Sequence, residues 1–261
     1  MINKEILLGN YETKILICPK CKKSLLKENK EKSHNLRDAK IIDLDFLQEY
    51  GNIDMHQRSE KLRSSLFECE HSECNGELVL IEEEKGELNP KNQPFYICKY
   101  EAYIYKRNIK YMNPSIDIIK IPPKIDIKLS KILRSSFKLY WVDLDACANK
   151  LRVFLENFLN YLKIIKQRKI YRSTGNKIKK LSLGERIGEL KQHSIKFSKY
   201  GDNIKAIKWI GNVGSHGSKP VTVERLVQAF EILEYIIDEI VFDKTKKIEK
   251  ITKVINSKKG K

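Results

Sequence analysis

After Pro123 the chain carries no proline until Pro220, and through this stretch its apolar residues fall in steps of three and four. Leu144, Ala148, Leu151, Leu155, Phe158, Leu162 and Ile165 form one stripe, which predicts an amphipathic helix opened by an Asp143 cap. Ser182 with Glu185 three residues on is a capping box and predicts a helix through Leu190 toward Phe197. Residues 204–210 read as a short helical piece ended by the glycines of Gly211-Asn212-Val213-Gly214. Thr222 caps a last long helix whose Leu226, Phe230, Leu233, Ile237 and Ile240 face inward. With a shorter segment at 128–140, these helices suffice for a bundle.

Upstream the pattern changes. Glu77-Leu78-Val79-Leu80-Ile81 and Tyr103-Ile104-Tyr105 read as short strands bounded by turn residues. Asn113-Pro114 and Pro122-Pro123 frame an extended piece around Ile116–Ile121. The expected class is α+β. A small β-rich module spans 1–112, a connector 113–127 and a helical bundle 128–243, and a basic tail over 244–261 frays.

Charge adds a candidate partner. The 261 residues hold 51 Lys and Arg against 34 acids, a formal +17. Residues 161–181 contain Lys163, Lys166, Arg168, Lys169, Arg172, Lys177, Lys179 and Lys180 and no acid. Such a block concentrates anions, and a phosphate backbone, RNA or DNA, is the commonest large anion in a cell. A codon bias toward Lys, Ile and Asn would enrich the same residues without any partner, so both readings stay open. No apolar run reaches the roughly eighteen residues of a membrane helix. The acid-bearing start does not resemble a secretion signal, and the expected address is the cytoplasm.

Six cysteines in a reducing compartment point to metal rather than disulfides. Cys18-Pro19-Lys20-Cys21 sets two thiolates on one tight turn, as zinc ribbons do, and Cys69-x4-Cys74 can complete a four-sulfur site. His71 is an alternative ligand, and four unliganded thiols are the competing reading. The 47 residues between the pairs imply an inserted structure. Four closed thiolates would hold a structural Zn2+ with no open position for chemistry. Cys98 and Cys147 read as small buried apolar residues.

The segment Lys208-Trp209-Ile210-Gly211-Asn212-Val213-Gly214-Ser215-His216 reads as a backbone-permissive corner between helices. His216 can serve as general acid or base near neutral pH, or can satisfy backbone groups together with Asn212. Asp143, Asp145 and Glu156 are carboxylates that could hold a metal, with Asp143 better explained as a cap. Asp126-Ile127-Lys128 is too short to signify a nuclease.

Three blocks carry a resemblance. They are Asp143-Leu144-Asp145-Ala146-Cys147-Ala148-Asn149-Lys150-Leu151-Arg152, Leu181-Ser182-Leu183-Gly184-Glu185-Arg186-Ile187, and Ile207 through His216. In order and spacing over residues 130–242 they resemble the domain-of-unknown-function family 4145, and the cysteine pairs are similar to the zinc-bearing leader of many members. That family is grouped with HEPN-like helical domains, many of which dimerise and cut RNA without metal using Arg, a polar residue, three spacers and His. The resemblance therefore implies a helical bundle, a homodimer through it, and a partner protein in a defence or restriction system. It places Asn212 at the polar position, His216 at the histidine, and Gly211 where those nucleases have arginine. Lys208, one turn earlier, or Arg152 on the first long helix would have to supply the cation.

Three functions follow as expectations. The first is a non-catalytic nucleic-acid-binding or adaptor protein. The second is a metal-independent endoribonuclease built on His216, Asn212, Lys208 and Arg152. The third is a protein-interaction module docking on a partner enzyme. No phosphate loop, dinucleotide fingerprint or nucleophile elbow is present.

Overall fold

A computed structural model describes Leu7 and residues 16–42, 57–88, 103–170, 177–216, 219–242 and 244–257. It divides into two units, Asn3–Ile116 and a second that takes in Asp117–Lys261. The class is α+β, with, among the described residues, a four-stranded antiparallel sheet in the first unit and six α-helices in the second.

The sheet is a meander of β1 (Leu26–Ile42), β2 (Gln57–Cys69), β3 (Glu77–Leu88) and β4 (Tyr103–Asn113), each strand paired with the next. These strands are longer than expected, 17, 13, 12 and 11 residues. The structure inserted between the cysteine pairs is the β1–β2 hairpin. At the end of the sheet nearest the cysteines Leu26, Phe67, Leu78, Leu80 and Met112 are buried, with Phe67 opposite Leu78 and Leu80 opposite Met112. Side-chain alternation places such residues on one face of a sheet, where cross-strand contact holds the register.

In the second unit, α1 (Ile127–Tyr140) and α2 (Leu144–Tyr161) precede a small hairpin, β5 (Gln167–Ile170) and β6 (Lys177–Lys180). There follow α3 (Leu183–His193), α4 (Gly201–His216), α5 (Val223–Ile240) and α6 (Lys244–Ser257). The caps are those the sequence predicts. Asp143 accepts from the Ala146 N–H, Thr222 from the Arg225 N–H, and Ser182 and Glu185 form the reciprocal box. Asp126 caps α1 by accepting from Lys128 and Leu129. The central helix is α2, packed on α1 and α4, with α5 also against α4. Leu151, Phe154 and Phe158 of α2 and Phe137, Ile207, Phe230 and Leu233 are essentially inaccessible. Cys147 is buried as expected, and its thiol donates to the Ser136 carbonyl at 3.2 Å. Cys98 lies outside the described residues.

Three expectations are corrected. The first concerns the glycines, which do not end a helix, since α4 runs through Gly211 and Gly214 to His216. A Cβ on Gly214 would stand 2.5 Å from the Asp145 carbonyl oxygen, and one on Gly211 2.7 Å from the Arg152 Cβ. These positions are bare because α2 crosses there, and helix backbones approach closely only over glycine. The second concerns α2, predicted through Ile165, which stops at Tyr161. Lys163 turns to φ 60°, and Ile165 is 46% exposed. The third concerns the tail. Residues 244–257 form a helix rather than fraying, because Ile248, Ile251 and Ile255 repeat at helical spacing, although all three remain exposed. No helix among the described residues is long and apolar enough to cross a membrane.

Candidate functional site

The cysteines converge at the end of the sheet where Leu26, Phe67 and Leu78 are buried. Cys18 and Cys21 sit on a turn closed by the Cys18 N–H to the Ser24 carbonyl and the Lys22 N–H to the Cys18 carbonyl, both 2.9 Å. Lys22 takes φ 57° to make that turn. Cys69 ends β2 and Cys74 precedes β3, joined by a loop in which the Cys74 N–H reaches the His71 carbonyl at 2.9 Å. The Cys69 N–H donates to the Gly76 carbonyl at 2.8 Å. The Leu26 N–H to the Leu16 carbonyl, 2.8 Å, and the Glu70 N–H to the Leu25 carbonyl, 3.1 Å, lash the two turns together.

All four sulfurs lie within 4.8 Å of one another. Cys18 and Cys74 are 3.7 Å apart, and Cys21 and Cys69 are 3.6 Å apart. A disulfide needs about 2.05 Å, and the cysteines are free. Four thiolates around one ion at a bond length of about 2.3 Å would stand about 3.8 Å apart, so the residues fit a tetrahedral metal. Gly76 offers a second sign of fit. A Cβ there would lie 2.6 Å from the Cys18 Sγ and 3.1 Å from the Cys74 Sγ, so the backbone presses on the thiols where no side chain has room. Hydrogen bonds from the Lys23 backbone hold the Cys21 thiol down to about 6, whereas lost hydration pushes Cys69 up to about 12 and raises Cys74. A bound cation would displace the protons from all four. His71 is not one of the cluster; its N–H points at the Cys69 Sγ, 3.4 Å away. Among the described residues no other histidines, cysteines and carboxylates gather in this way. Asp143 is spent on its cap, and Asp145 accepts the Val221 N–H at 2.8 Å, fixing the chain ahead of α5.

The basic block folds into the β5–β6 hairpin. Arg168 pairs across it with Lys179, and Lys169 with Ile178. Cross-strand partners point to the same side, so Arg168 and Lys179 share a face, and Lys169, Ile178 and Lys180 share the other. The first face is anchored to α3, Arg168 to Glu189 and Lys179 to Glu185. The Lys179 hydrogen bond, with the Ser182 backbone N–H, draws the Glu185 carboxyl down to about 2. Lys163, Lys166, Lys169, Lys177 and Lys180 are exposed, with no ion pair among the described residues. Arg172 lies outside the described residues. The seven described cations are thus of two kinds, two holding the hairpin in place and five facing water.

At the base of this hairpin Arg186 is buried. Its guanidinium donates to the Ile165, Glu156 and Ile164 carbonyls at 3.1, 3.0 and 3.2 Å, and to Asn160 Oδ1 at 2.8 Å. Nothing in the spacing of Arg186 along the sequence shows that the end of α2 turns back onto it. Gly76 and Trp209 carry no local sequence signal either.

The remaining candidates lie where α2 crosses α4. Arg152 stands against Gly211, so the first long helix does come alongside, and its Nε is 4.0 Å from Glu156. Asn212 is half-buried on the next residue of α4. Lys208 turns elsewhere, its Nζ 3.9 Å from the Trp209 ring centroid. His216 ends α4, and its side chain lies outside the described residues.

Residues 134–258 match the family described as a domain of unknown function (DUF4145), a span running from α1 through α6. Neither the curated proteins nor the solved structures give a match.

Proposed function

We propose that this chain binds nucleic acid without cutting it. A HEPN-like bundle presents its lysine-bearing hairpin to the phosphate backbone, and a structural zinc ion held by Cys18, Cys21, Cys69 and Cys74 staples a ribbon-like first unit. Zinc is the choice because an all-sulfur, closed donor set suits it and leaves no open position. The setting is a bacterial cytoplasm, where the protein acts, as a homodimer through its bundle, as the binding or adaptor component of a defence or restriction system.

One observation carries the reading. Two cations of the hairpin are tied to α3 and three, Lys169, Lys177 and Lys180, are free, so anchoring one face of the hairpin leaves Lys169 and Lys180 together on the other. Phosphate contacts from such an array are sequence-independent and position the strand. Reversing the free face, Lys169→Glu with Lys180→Glu, is expected to weaken binding of a labelled 30-mer about tenfold or more. The matched reversal on α1, Lys131→Glu with Lys138→Glu, is expected to change it little. Equal affinities for the two variants, measured by fluorescence anisotropy, would sink the proposal.

A second reading, metal-independent RNA cleavage, draws on the crossing of α2 and α4. Arg152 fills the space beside Gly211 and restores a cation near the position where the family pattern lacks one. Arg152 would then face the phosphate, with Asn212 orienting His216 as general acid and base on a ribose hydroxyl. Labelled RNA incubated with the protein in EDTA decides between the two. Cuts with cyclic-phosphate ends that vanish in His216→Ala would displace the binding reading, and intact, retarded strands are what it expects.

A further inference from the structure

Trp209 is the least explained side chain of the helical unit. Trp141 is 6% exposed, as a tryptophan usually is, whereas Trp209 is 54% exposed on the outer face of α4. Lys205 and Val213, one turn before and after it, are exposed too. The Lys208 ammonium lies 3.9 Å from the ring centroid, within cation–π range. The same ammonium rests on the first turn of α3, 3.3 Å from where a Gly184 Cβ would stand. Glu185, the next residue, holds Lys179 of the hairpin. The indole and the lysine array therefore adjoin through that one turn of α3.

This composition narrows the occupant. A protein partner packed by apolar contact would want a wider apolar patch; along this helix face Trp209 has Val213 a turn on, Lys205 a turn back and Lys208 beside it, with Asn212 polar and the acid Asp202, two turns back, paired with Lys191. A nucleobase needs less, a flat π-face to stack on and positive charge within reach of the phosphates on either side. In a duplex the base faces are already stacked and inaccessible, so such a platform selects unpaired strands. Resting on the nucleic-acid reading above, we infer that Trp209 stacks an unpaired base, with Lys208 and Lys205 beside the flanking phosphates. The helical unit then prefers single-stranded RNA or DNA to duplex.

The test uses the full chain with a 12-mer of uridine, a 12-mer of thymidine and a hairpin duplex. Tryptophan emission should be quenched on saturation with either 12-mer and not with the duplex. Trp209→Ala should lower 12-mer affinity about tenfold and leave duplex affinity unchanged. Trp209→Phe should recover most of the loss, which a side chain with only a structural role would not require. Unaltered 12-mer affinity in Trp209→Ala would overturn the stacking alone, provided that Lys169→Glu with Lys180→Glu still weakens binding. Absence of binding to any strand would overturn the nucleic-acid reading and this inference with it. An emission shift that depends on protein concentration, needs no nucleic acid and is lost in Trp209→Ala would assign the indole to a second copy and overturn it too.

Discussion

Replacing Cys18 with serine is expected to take the metal content of the purified protein from about one zinc per chain to near zero. The four sulfurs are the meeting point of the turn before β1, the end of β2 and the approach to β3. Beside it, these segments are joined by the Glu70 N–H to the Leu25 carbonyl, the Cys69 N–H to the Gly76 carbonyl and the small buried cluster of Leu26, Phe67, Leu78 and Leu80. Small metal-stapled units generally lose their fold with the ion. Limited proteolysis should therefore cut within residues 3–116, while the helical unit keeps its far-ultraviolet signal. Gly76→Ala tests the same site without touching a ligand. Its Cβ would stand 2.6 Å from the Cys18 Sγ, so the variant should bind zinc about ten- to a hundredfold more weakly, the range seen when groups supporting a ligand are disturbed. Full zinc content and an unchanged cleavage pattern in both variants would remove the metal from the account.

The second large effect is expected at Arg186. It makes four hydrogen bonds, two to the end of α2 at Glu156 and Asn160 and two to Ile164 and Ile165 between α2 and β5. Burial lowers its pKa, with the Glu156 charge opposing, so the site takes a desolvated guanidinium and repays it in hydrogen bonds. Arg186→Met leaves the Ile164 and Ile165 carbonyls and the Asn160 amide oxygen without this donor, and the Glu156 carbonyl with its helical bond alone. At about 1 kcal/mol or more for each stranded group, the loss is about 3–5 kcal/mol. In a unit of this size that lowers the melting temperature by roughly 10 °C. Arg186→Lys should recover only part, because one ammonium cannot span acceptors arranged around a planar fork. A melting temperature within a degree or two of wild type would contradict the role.

Local rules carried the sequence reading furthest where one residue decides an element. Asp143, Ser182 with Glu185, and Thr222 each begin a helix where they predict one, because a cap is a contact between near neighbours. The four cysteines came together for a similar reason, as the donor chemistry itself selects partners across 47 intervening residues. The strands of that interval were not legible. β1 reads Leu-Lys-Glu-Asn-Lys-Glu-Lys over its first half and shows no alternation, since after Leu26 that half is polar on both sides. Gly211 and Gly214 misled in the other direction. Glycine is a helix breaker by propensity, and only the crossing of α2, a tertiary fact, turns the pair into a packing surface. The β5–β6 hairpin hid within a lysine run for want of apolar residues, and its anchoring on Glu185 and Glu189 emerges only once α3 is in place.

The most direct test of the nucleic-acid reading is how the affinity of the wild-type chain for a defined strand changes with salt. Each lysine seated on a phosphate releases condensed counterions, giving a slope near −0.9 per contact in a plot of log association constant against log salt for duplex. Engagement of the three free hairpin lysines predicts a slope of about −2.7 on duplex, or about −2.1 on a single strand, reduced by roughly 1.5–2 units in Lys169→Glu with Lys180→Glu. A slope near zero, or one that both proteins share, would show that the lysine array does not meet phosphate and would return the bundle to protein partners.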